Sequence, residues 1–402
     1  MHGYFESIKT LLSHDANPAE AVLDLVSKET TSEAQVATVL DGWDASSQSK
    51  QIANEASADA TQNMTLPERT VQSSGALSAW HVFARQARLG LVDPLQYVGR
   101  LFIIPQLVLF FGVVYIASRK LNQKQVPFRL FYLWWCLAIP ACMSITTLIG
   151  TNRDTFSVVY ELRAGMYQVW SYVVSTSLVQ IPALFLLSVA VNVCCFGIGN
   201  WPWDYFLGYA VAFAITIWVF DSLAQLLAVL FKNPVIGMLA FLGYWSSSIV
   251  FCGLVFRATD VVWPFRLFYY MLPLKWMFNV AGYSVYMPSD FSGATICTAG
   301  EAVTLSSGTS ITCPNTGFYC DGAATSFGCW GRTGEQVLDT MTLSYESVGS
   351  KDERGFDIGI LLLMVVVLKV AYIVVLYINF SATDEPQNVK KSKSREVLEV
   401  AS

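Results

Sequence analysis

Charged residues are scarce in this chain, and their scarcity excludes an ordinary soluble fold. Of the 402 residues, 14% are charged and 54% are hydrophobic, whereas a soluble domain carries about 25% charged residues. The net charge is −5 and there is no long basic block, which argues against nucleic acid as a partner. We therefore expect the chain to lie in a membrane.

Catalytic motifs are also missing. The three histidines, His2, His14 and His81, all precede the apolar part of the chain, and nothing resembles a nucleophile elbow or a zinc-protease helix. No Gly-Lys pair occurs, so the phosphate-binding loop GxxxxGK[ST] is absent. We predict no catalytic residue, no bound metal or cofactor, and no ATP hydrolysis by this chain alone.

Long apolar runs dominate the sequence instead. Charge-free stretches such as Leu101–Ser118 and Ala164–Trp203 approach or exceed the roughly 20 apolar residues that a helix needs to cross a bilayer. The sequence therefore predicts an all-α polytopic membrane protein whose residues 99–380 form six spans. We place the spans at about 99–118, 128–149, 167–196, 205–230, 235–256 and 356–380.

Basic residues indicate the orientation of these spans. An even number puts both termini on one side, and the tail KKSKSR within residues 381–402 marks that side as cytoplasmic. Three basic residues before the first span agree: Arg85, Arg88 and Arg100. Four between the first two spans conflict, because they would lie outside: Arg119, Lys120, Lys124 and Arg129. We expect an integral protein of the plasma membrane with both termini cytoplasmic and a large extracellular loop at 281–355.

The nine cysteines form two groups. Five lie in apolar segments, where a small soft side chain packs well. The other four share the polar loop at 281–355: Cys297, Cys313, Cys320 and Cys329. An even number in an outer loop predicts disulfides, with three pairings that the sequence leaves open. A metal site is the weaker interpretation, because no histidine or CxxC spacing accompanies these cysteines.

The residues before the first span divide into three parts. Residues 1–28 have the pattern of short helices, and residues 29–74, rich in Ser, Thr, Ala and Gln, that of a cytoplasmic linker. In residues 75–98, apolar residues recur at spacings of three and four: Leu77, Trp80, Ala84, Ala87 and Leu91. This spacing predicts an amphipathic connecting helix that lies along the membrane surface.

Two charged residues, Asp221 and Lys369, fall inside predicted spans. A lone charge at the centre of a span costs about 2.5 to 3.5 kcal/mol, so such residues usually face the protein interior or a cavity. The simpler interpretation is that Asp221 turns toward neighbouring helices while Lys369 extends its stem toward an interface. A role in substrate binding or coupling is the alternative, and a direct pair between the two residues is a further conjecture.

A charged elbow precedes the third span. Glu161 and Arg163 end a short cytoplasmic segment, Gly165 permits a tight turn, and Tyr167 lies at interface depth. Pro182, well inside the span, removes a backbone hydrogen bond and favours a kink. The elbow is either a docking point for a cytoplasmic motor or an ordinary interfacial loop, and the residues alone leave both open.

The stretch YELRAGMYQVWSYVVSTSLVQIP resembles a segment of G-subfamily ABC transporters of the pleiotropic-drug-resistance and white type. The matching positions are Glu161, Gly165, Tyr167, Tyr172 and Pro182. Tyr160 stands where the family usually has Arg, and Gln180 where it usually has Glu. The segment FCGLVFRATDVVWPFRLFYYMLPLKW is similar to the family's Phe-x-Gly motif and aromatic stretch, through Phe251, Gly253 and Trp276 among others. NPAEAVLDLV resembles the end of the family's nucleotide-binding domain, and DPLQYVGRL its connecting helix.

This resemblance implies the function and the partners. Residues 1–28 would be the C-terminal remnant of a nucleotide-binding domain whose ATP and Mg²⁺ sites lie upstream of Met1. The transporter would pair two membrane domains, as a homodimer, a heterodimer or one longer chain, and export hydrophobic small molecules or lipids by alternating access. Glu161 and Arg163 would couple ATP-driven closure to helix movement.

The resemblance also implies a substrate cavity lined by the second and fifth spans. Its candidate residues are Phe131, Trp134, Trp135, Tyr244, Ser247 and Val250, whose aromatic and small polar character suits a hydrophobic substrate. The chain would then be a truncated product or an incomplete gene model of a transporter. The alternative is a motorless membrane partner that binds a complete transporter without transporting by itself.

Overall fold

The computed structural model describes residues 75–92, 97–164, 166–231, 233–257, 259–304, 308, 310–313, 316–320 and 328–381, together with scattered residues between 37 and 54. The predicted domain remnant at 1–28 and nearly all of the linker at 29–74 and the tail at 381–402 lie outside these residues. Gly165 also lies outside them.

The described part of the chain is mostly helical. Its helices are α1 (Gly75–Val92), α2 (Gly99–Val114), α3 (Val126–Met143), α4 (Ile145–Arg163), α5 (Val169–Gly199), α6 (Phe206–Leu230), α7 (Pro234–Val250), α8 (Arg266–Met271), α9 (Pro273–Tyr286), α10 (Gly334–Thr342) and α11 (Arg354–Ser381). Four helical segments are long and apolar enough to cross a membrane: Gln123–Leu162, Val169–Gly199, Phe206–Leu230 and Arg354–Asn379. Helices α2 and α7, at the positions of the predicted first and fifth spans, are shorter, with 16 and 17 residues.

The helical path continues beyond the second predicted span. We expected a span over 128–149 followed by a short cytoplasmic segment, but α4 continues the helical path to Arg163. No proline or glycine lies between Thr151 and Arg163 to stop the helix. The path is interrupted only at Ser144, one turn after Pro140, whose ring cannot continue the hydrogen-bonded ladder. The elbow therefore begins at the end of a long helical arm.

Helix α1 covers Gly75–Val92 of the segment predicted as an amphipathic helix. Its predicted apolar stripe faces outward, with Leu77, Trp80 and Leu91 all exposed. The opposite face, in which Val82 and Gln86 are buried, packs against α5. The Ser175 hydroxyl on α5 donates a 2.8 Å hydrogen bond to the Ala79 carbonyl on α1. An exposed apolar stripe on a helix of this kind is suited to the membrane interface.

Helix α6 lies at the centre of the helical domain. It packs against α4, α5, α7, α9 and α11. Its buried positions include four alanines, Ala210, Ala212, Ala224 and Ala228. Small side chains let neighbouring helices approach closely, which is how helices associate in a membrane.

The loop between α9 and α11 is organised by short antiparallel strands. Strand β1 (Ala294–Cys297) pairs with β4 (Gly317–Cys320), and β2 (Ala302–Thr304) pairs with β3 (Ser310–Thr312). The four loop cysteines form two disulfides, Cys297–Cys313 and Cys320–Cys329. The structure therefore selects one of the three pairings that the sequence left open.

Two basic residues used to predict the orientation are in fact buried. Arg100 lies inside the helical domain rather than before it, and Arg129 donates hydrogen bonds to the carbonyls of Gly199 (3.2 Å) and Asn200 (3.0 Å) at the end of α5. Asn200 has a left-handed backbone, with φ of 51°, so the α5 carbonyls end in a turn that Arg129 can reach. Neither arginine is a loop charge, and neither bears on the orientation.

Candidate functional site

A charged cluster joins three segments at the elbow. Arg85 on α1 donates hydrogen bonds of 2.7 and 2.8 Å to the two carboxylate oxygens of Glu161 at the end of α4. The Tyr167 hydroxyl, just before α5, donates to the same carboxylate at 2.5 Å. We call Arg85, Glu161 and Tyr167 the elbow cluster.

The elbow cluster is partly accessible from outside. The exposed fractions of the Arg85 and Glu161 side chains are 40% and 22%. Burial opposes the charge of Arg85, but its hydrogen bonds with Glu161 and Tyr167 outweigh that effect and raise its pKa above the usual value. A recess of about 240 Å³ adjoins the cluster, and Ser78, His81 and Met166 contribute to its lining. Another protein could therefore contact the cluster directly.

The elbow cluster connects three helical segments. One ion pair ties the connecting helix to the end of the α3–α4 arm, and one hydrogen bond ties that arm to the start of α5. A single nitrogen of Arg85, Nη1, reaches both oxygens of Glu161, and such hydrogen bonds between charged groups are stronger than neutral ones. The cluster therefore links α1, the end of α4 and the residue Tyr167 just before α5. Of the four predicted elbow residues, the structure joins Glu161 and Tyr167, and it describes the backbone but not the side chain of Arg163.

The intramembrane charge Asp221 pairs with a residue that the sequence analysis assigned to another role. Its carboxylate accepts a 2.9 Å hydrogen bond from Arg100 on α2. Arg100 also donates to Thr147 (3.0 Å) and Ser144 (3.3 Å) at the start of α4. The prediction that Asp221 turns toward neighbouring helices agrees with this geometry. The conjectured Asp221–Lys369 pair does not form in the structure, because Lys369 donates to Gln180 and Gln225 instead.

Lys369 does not extend to an interface as we predicted. Its side chain is 9% exposed, and its ammonium group donates to Gln180 on α5 at 2.8 Å and to Gln225 on α6 at 2.6 Å. Two neutral amide oxygens therefore hold a buried cation. Trp218 also donates to the Gln180 oxygen, at 3.2 Å. These contacts join α5, α6 and α11.

The predicted lining residues lie on two neighbouring helices. Trp245 on α7 donates a 2.9 Å hydrogen bond to the Ala138 carbonyl on α3, so the two helices are in contact. The six candidates are exposed or half-buried on these helices: Phe131, Trp134, Trp135, Tyr244, Ser247 and Val250. Trp135 stacks on Phe111 of α2, with ring centroids 4.6 Å apart. Their contact with a substrate stays a prediction.

Gly253 of the Phe-x-Gly segment occupies a position that excludes a side chain. Its φ is +85°, and a Cβ atom there would lie 1.8 Å from the Ser347 hydroxyl. That hydroxyl is hydrogen-bonded to Tyr269 at 2.9 Å. Glycine is needed both for the left-handed backbone and for the close approach.

Sequence reasoning missed the partners Arg85, Arg100, Gln180 and Gln225. One signal was available for Gln180, since it occupies the position where the G-subfamily usually has Glu. A hydrogen-bond acceptor at position 180 is consistent with a positively charged partner on another helix of the domain. The other three carry no local pattern, because each is separated by at least 76 residues from the charged group it binds.

Long apolar helices and buried charges indicate that this chain is an integral membrane protein with several membrane helices. The sequence model of the family described as ABC-2 type transporter matches residues 78–286, which is more than half of the chain. The chain belongs to this family of transporter membrane domains.

Two curated plant proteins are similar to the chain. ABC transporter G family member 42 from Arabidopsis thaliana is 23% identical over 282 residues, which cover 67% of this chain and 20% of the relative. ABC transporter G family member 43 from the same plant is 23% identical over 292 residues, covering 69% of this chain and 21% of the relative. The chain spans about a fifth of the length of these relatives.

Proposed function

We propose that this chain is the membrane-spanning part of an ATP-driven exporter of hydrophobic small molecules or lipids. It would act with a second membrane domain and with nucleotide-binding domains that hold ATP and Mg²⁺. The elbow cluster carries the proposal, because it connects an accessible surface to three helical segments. Membership of the transporter family supports it.

The elbow cluster would be the contact through which the nucleotide-binding domain moves the membrane helices. A nucleotide-binding domain seated at the recess beside Tyr167 would push on the end of α4 and on the connecting helix through the Arg85–Glu161 pair. Because α4 continues from α3, that push would reach the helix that carries Phe131, Trp134 and Trp135. Alternating access then consists of moving α3 relative to α7, the other helix with candidate lining residues.

The proposed topology has six spans with both termini in the cytoplasm of a plasma-membrane protein. Helices α2 and α7 would be the remaining two spans, in addition to the four longer candidate membrane helices. Burial of Arg129 removes one of the four basic residues that conflicted with this orientation, and burial of Arg100 removes one that favoured it. The disulfide-linked loop between α9 and α11 then faces the oxidising exterior.

Substitution of the elbow cluster tests the coupling. In a complex that supplies a nucleotide-binding domain, we expect Glu161→Ala to leave membrane insertion intact and to lower ATP-coupled transport about tenfold, which is a typical coupling between two sites. Arg85→Ala should have the same effect, because it removes the other half of the ion pair. Arg88→Ala, at an exposed arginine of the same helix, is the matched control and should transport normally.

Two results would redirect the proposal. Normal transport by both Glu161→Ala and Arg85→Ala would remove the elbow from the mechanism. Absence of transport with every nucleotide-binding domain supplied, together with stable capture of a complete transporter, would favour the motorless binding partner instead.

A further inference from the structure

Three aromatic rings surround the ammonium group of Lys275, where α8 meets α9. The Lys275 nitrogen lies 3.4 Å from the centre of the Trp276 ring, 5.8 Å from that of Tyr269 and 6.0 Å from that of Tyr270. A cation within about 6 Å of a ring centre is attracted by the negative face of the ring. We call Tyr269, Tyr270 and Trp276 the aromatic cage.

The rings of the aromatic cage are held by contacts of their own. The Trp276 indole nitrogen donates a 3.1 Å hydrogen bond to the Tyr270 carbonyl, and the Tyr269 hydroxyl is hydrogen-bonded to Ser347 at 2.9 Å. The Tyr269 and Tyr270 rings pack edge to face, with centroids 5.2 Å apart. The arrangement of the rings therefore rests on contacts other than those with the lysine.

Lys275 occupies the cage without the polar contacts that a primary ammonium group usually makes. Among the residues that the structure describes, none forms a hydrogen bond or an ion pair with this group, although it carries three donors. Burial lowers the pKa of Lys275, while the negative charges of Asp357, Glu353 and Glu346 act in the opposite direction. The position is therefore better suited to a cation that has no N–H groups.

Negative charge beside the cage requires that its occupant be a cation. Asp357, at the start of α11, is 1% exposed. Its Oδ2 atom accepts a 2.6 Å hydrogen bond from Asn279, and its Oδ1 atom has no hydrogen bond from any residue in the described part of the chain. Its charge and those of Glu353 and Glu346 act on the position of the Lys275 ammonium group. A ligand that displaces the lysine must therefore bring a positive charge of its own.

The cage lies at the level of a membrane boundary. Phe356 packs edge to face on Trp276, with ring centroids 6.1 Å apart, and it is among the first residues of the candidate membrane helix Arg354–Asn379. The side chains of Tyr270 and Met271 are exposed beside it. Lipid head groups lie at this depth, next to the end of a membrane helix.

We propose that the aromatic cage is a recognition site for a quaternary ammonium group, such as the choline head group of a lipid, and that Lys275 occupies it until such a group binds. Aromatic cages recognise quaternary ammonium groups because these need no hydrogen-bond acceptor, whereas a lysine ammonium group is strongly hydrated. Lys275 is half-buried, and its flexible stem lets the displaced charge turn toward water. The site lies on different helices from the elbow cluster and the candidate lining residues, so it does not depend on the proposed function.

Binding of choline to the purified protein in detergent tests this site. The matched ligand is the neutral analogue of choline in which a tert-butyl group replaces the trimethylammonium group. Lys275→Met removes the charge and keeps a similar stem. We expect it to bind choline about tenfold more tightly than the unchanged protein, because a site that its own lysine fills about nine-tenths of the time is open about one-tenth of the time. Lys120→Met, at an exposed lysine outside the cage, is the control and should leave the affinity unchanged.

A second pair of probes distinguishes a lipid from a free solute. Photoactivatable phosphatidylcholine and phosphatidylglycerol with the same chains are compared on the protein in vesicles of otherwise identical composition. We expect the phosphatidylcholine to label peptides of α8 and α9 several-fold more than the phosphatidylglycerol. Choline binding without this preference would support the same cage as a site for a free cation.

Removing one ring tests the cage itself. Tyr270→Leu in the Lys275→Met background should lower choline affinity several-fold. Trp276→Leu should abolish binding, but Trp276 is 8% exposed, so the exposed Tyr270 keeps the site testable if the Trp276 variant does not fold. Equal binding of choline and its neutral analogue, no gain of choline affinity in Lys275→Met, or full choline binding by the folded Tyr270→Leu protein would overturn the proposal.

Discussion

Arg100 and Asp221 form an ion pair of 2.9 Å within the helical domain, with side chains that are 2% and 0% exposed. The pair joins the first helix of the membrane domain to its central helix, across 121 positions of sequence. Hydrogen bonds from Arg100 to Thr147 and Ser144 extend it to the junction between α3 and α4. The pair therefore connects the centre of the domain to the arm that ends at the elbow.

Replacing one member of this pair is expected to destabilise the protein more than replacing both members together. Arg100→Met or Asp221→Leu alone leaves one buried charge without its partner, which costs about 3 to 5 kcal/mol. The double variant leaves neither charge and should recover most of that loss. The measurement is the melting temperature of the detergent-solubilised protein. It is the temperature at which half of the protein is lost from its peak in size-exclusion chromatography after heating. A double variant as unstable as the worse single one would contradict the pairing.

The contacts of Lys369 predict that Gln180→Glu stabilises the protein when Lys369 is present and destabilises it when Lys369 is replaced. Gln180→Glu places a carboxylate at the acceptor 2.8 Å from the ammonium group and should stabilise the protein, because charged hydrogen bonds are about twice as strong as neutral ones. In a Lys369→Met background the same change buries an unpaired carboxylate and should destabilise it. Melting temperatures of the four proteins give the interaction energy. A Gln180→Glu effect of the same sign in both backgrounds would rule out the contact.

Gly253 should tolerate no larger residue. Gly253→Ala forces a side chain into a left-handed backbone and against the Ser347 hydroxyl, at a cost of about 1 to 3 kcal/mol for the backbone alone. Gly243→Ala is the control, because a Cβ atom there has no neighbour within 4 Å and alanine favours a helix. The yield of monodisperse protein distinguishes them. Equal yields would show that the Gly253 backbone is not left-handed.

The disulfide pairing can be checked by peptide mapping without reduction. We expect cross-linked peptides that join Cys297 to Cys313 and Cys320 to Cys329, which close loops of 16 and 9 residues. Loops of this size contribute about 2 to 4 kcal/mol when cross-linked. Replacing both Cys320 and Cys329 with Ser should therefore loosen the loop between α9 and α11 and leave the peptide that joins Cys297 to Cys313 intact. A peptide joining Cys313 to Cys320 would contradict the structure.

Much of the fold follows from composition and local spacing. Low charge and long apolar runs indicate that the chain lies in a lipid bilayer. The spacing of apolar residues three and four positions apart predicted helix α1. The length of the helical path was less predictable where two helices follow one another. Because α3 and α4 are separated only by the break at Ser144, hydropathy ended the second span at 149 although the helical path continues to Arg163.

The candidate site was predicted only in part. Glu161 and Tyr167 were recognisable from a family motif, but their partner Arg85 was counted as an orientation charge. The same applies to Arg100 and Arg129, which looked like flanking residues because they stand at the ends of apolar runs. Position along the chain gives no information on whether a residue at a helix end faces water or the inside of the protein.

The sequence by itself determined that the chain lies in a membrane, that it is mainly helical and which family it resembles, because these depend on composition, on spacings of a few residues and on short motifs. The tertiary structure alone decided the partners of the buried charges and the disulfide pairing. These depend on which helix faces approach one another. Residues 100 and 221, or 180 and 369, meet only after the helices have packed.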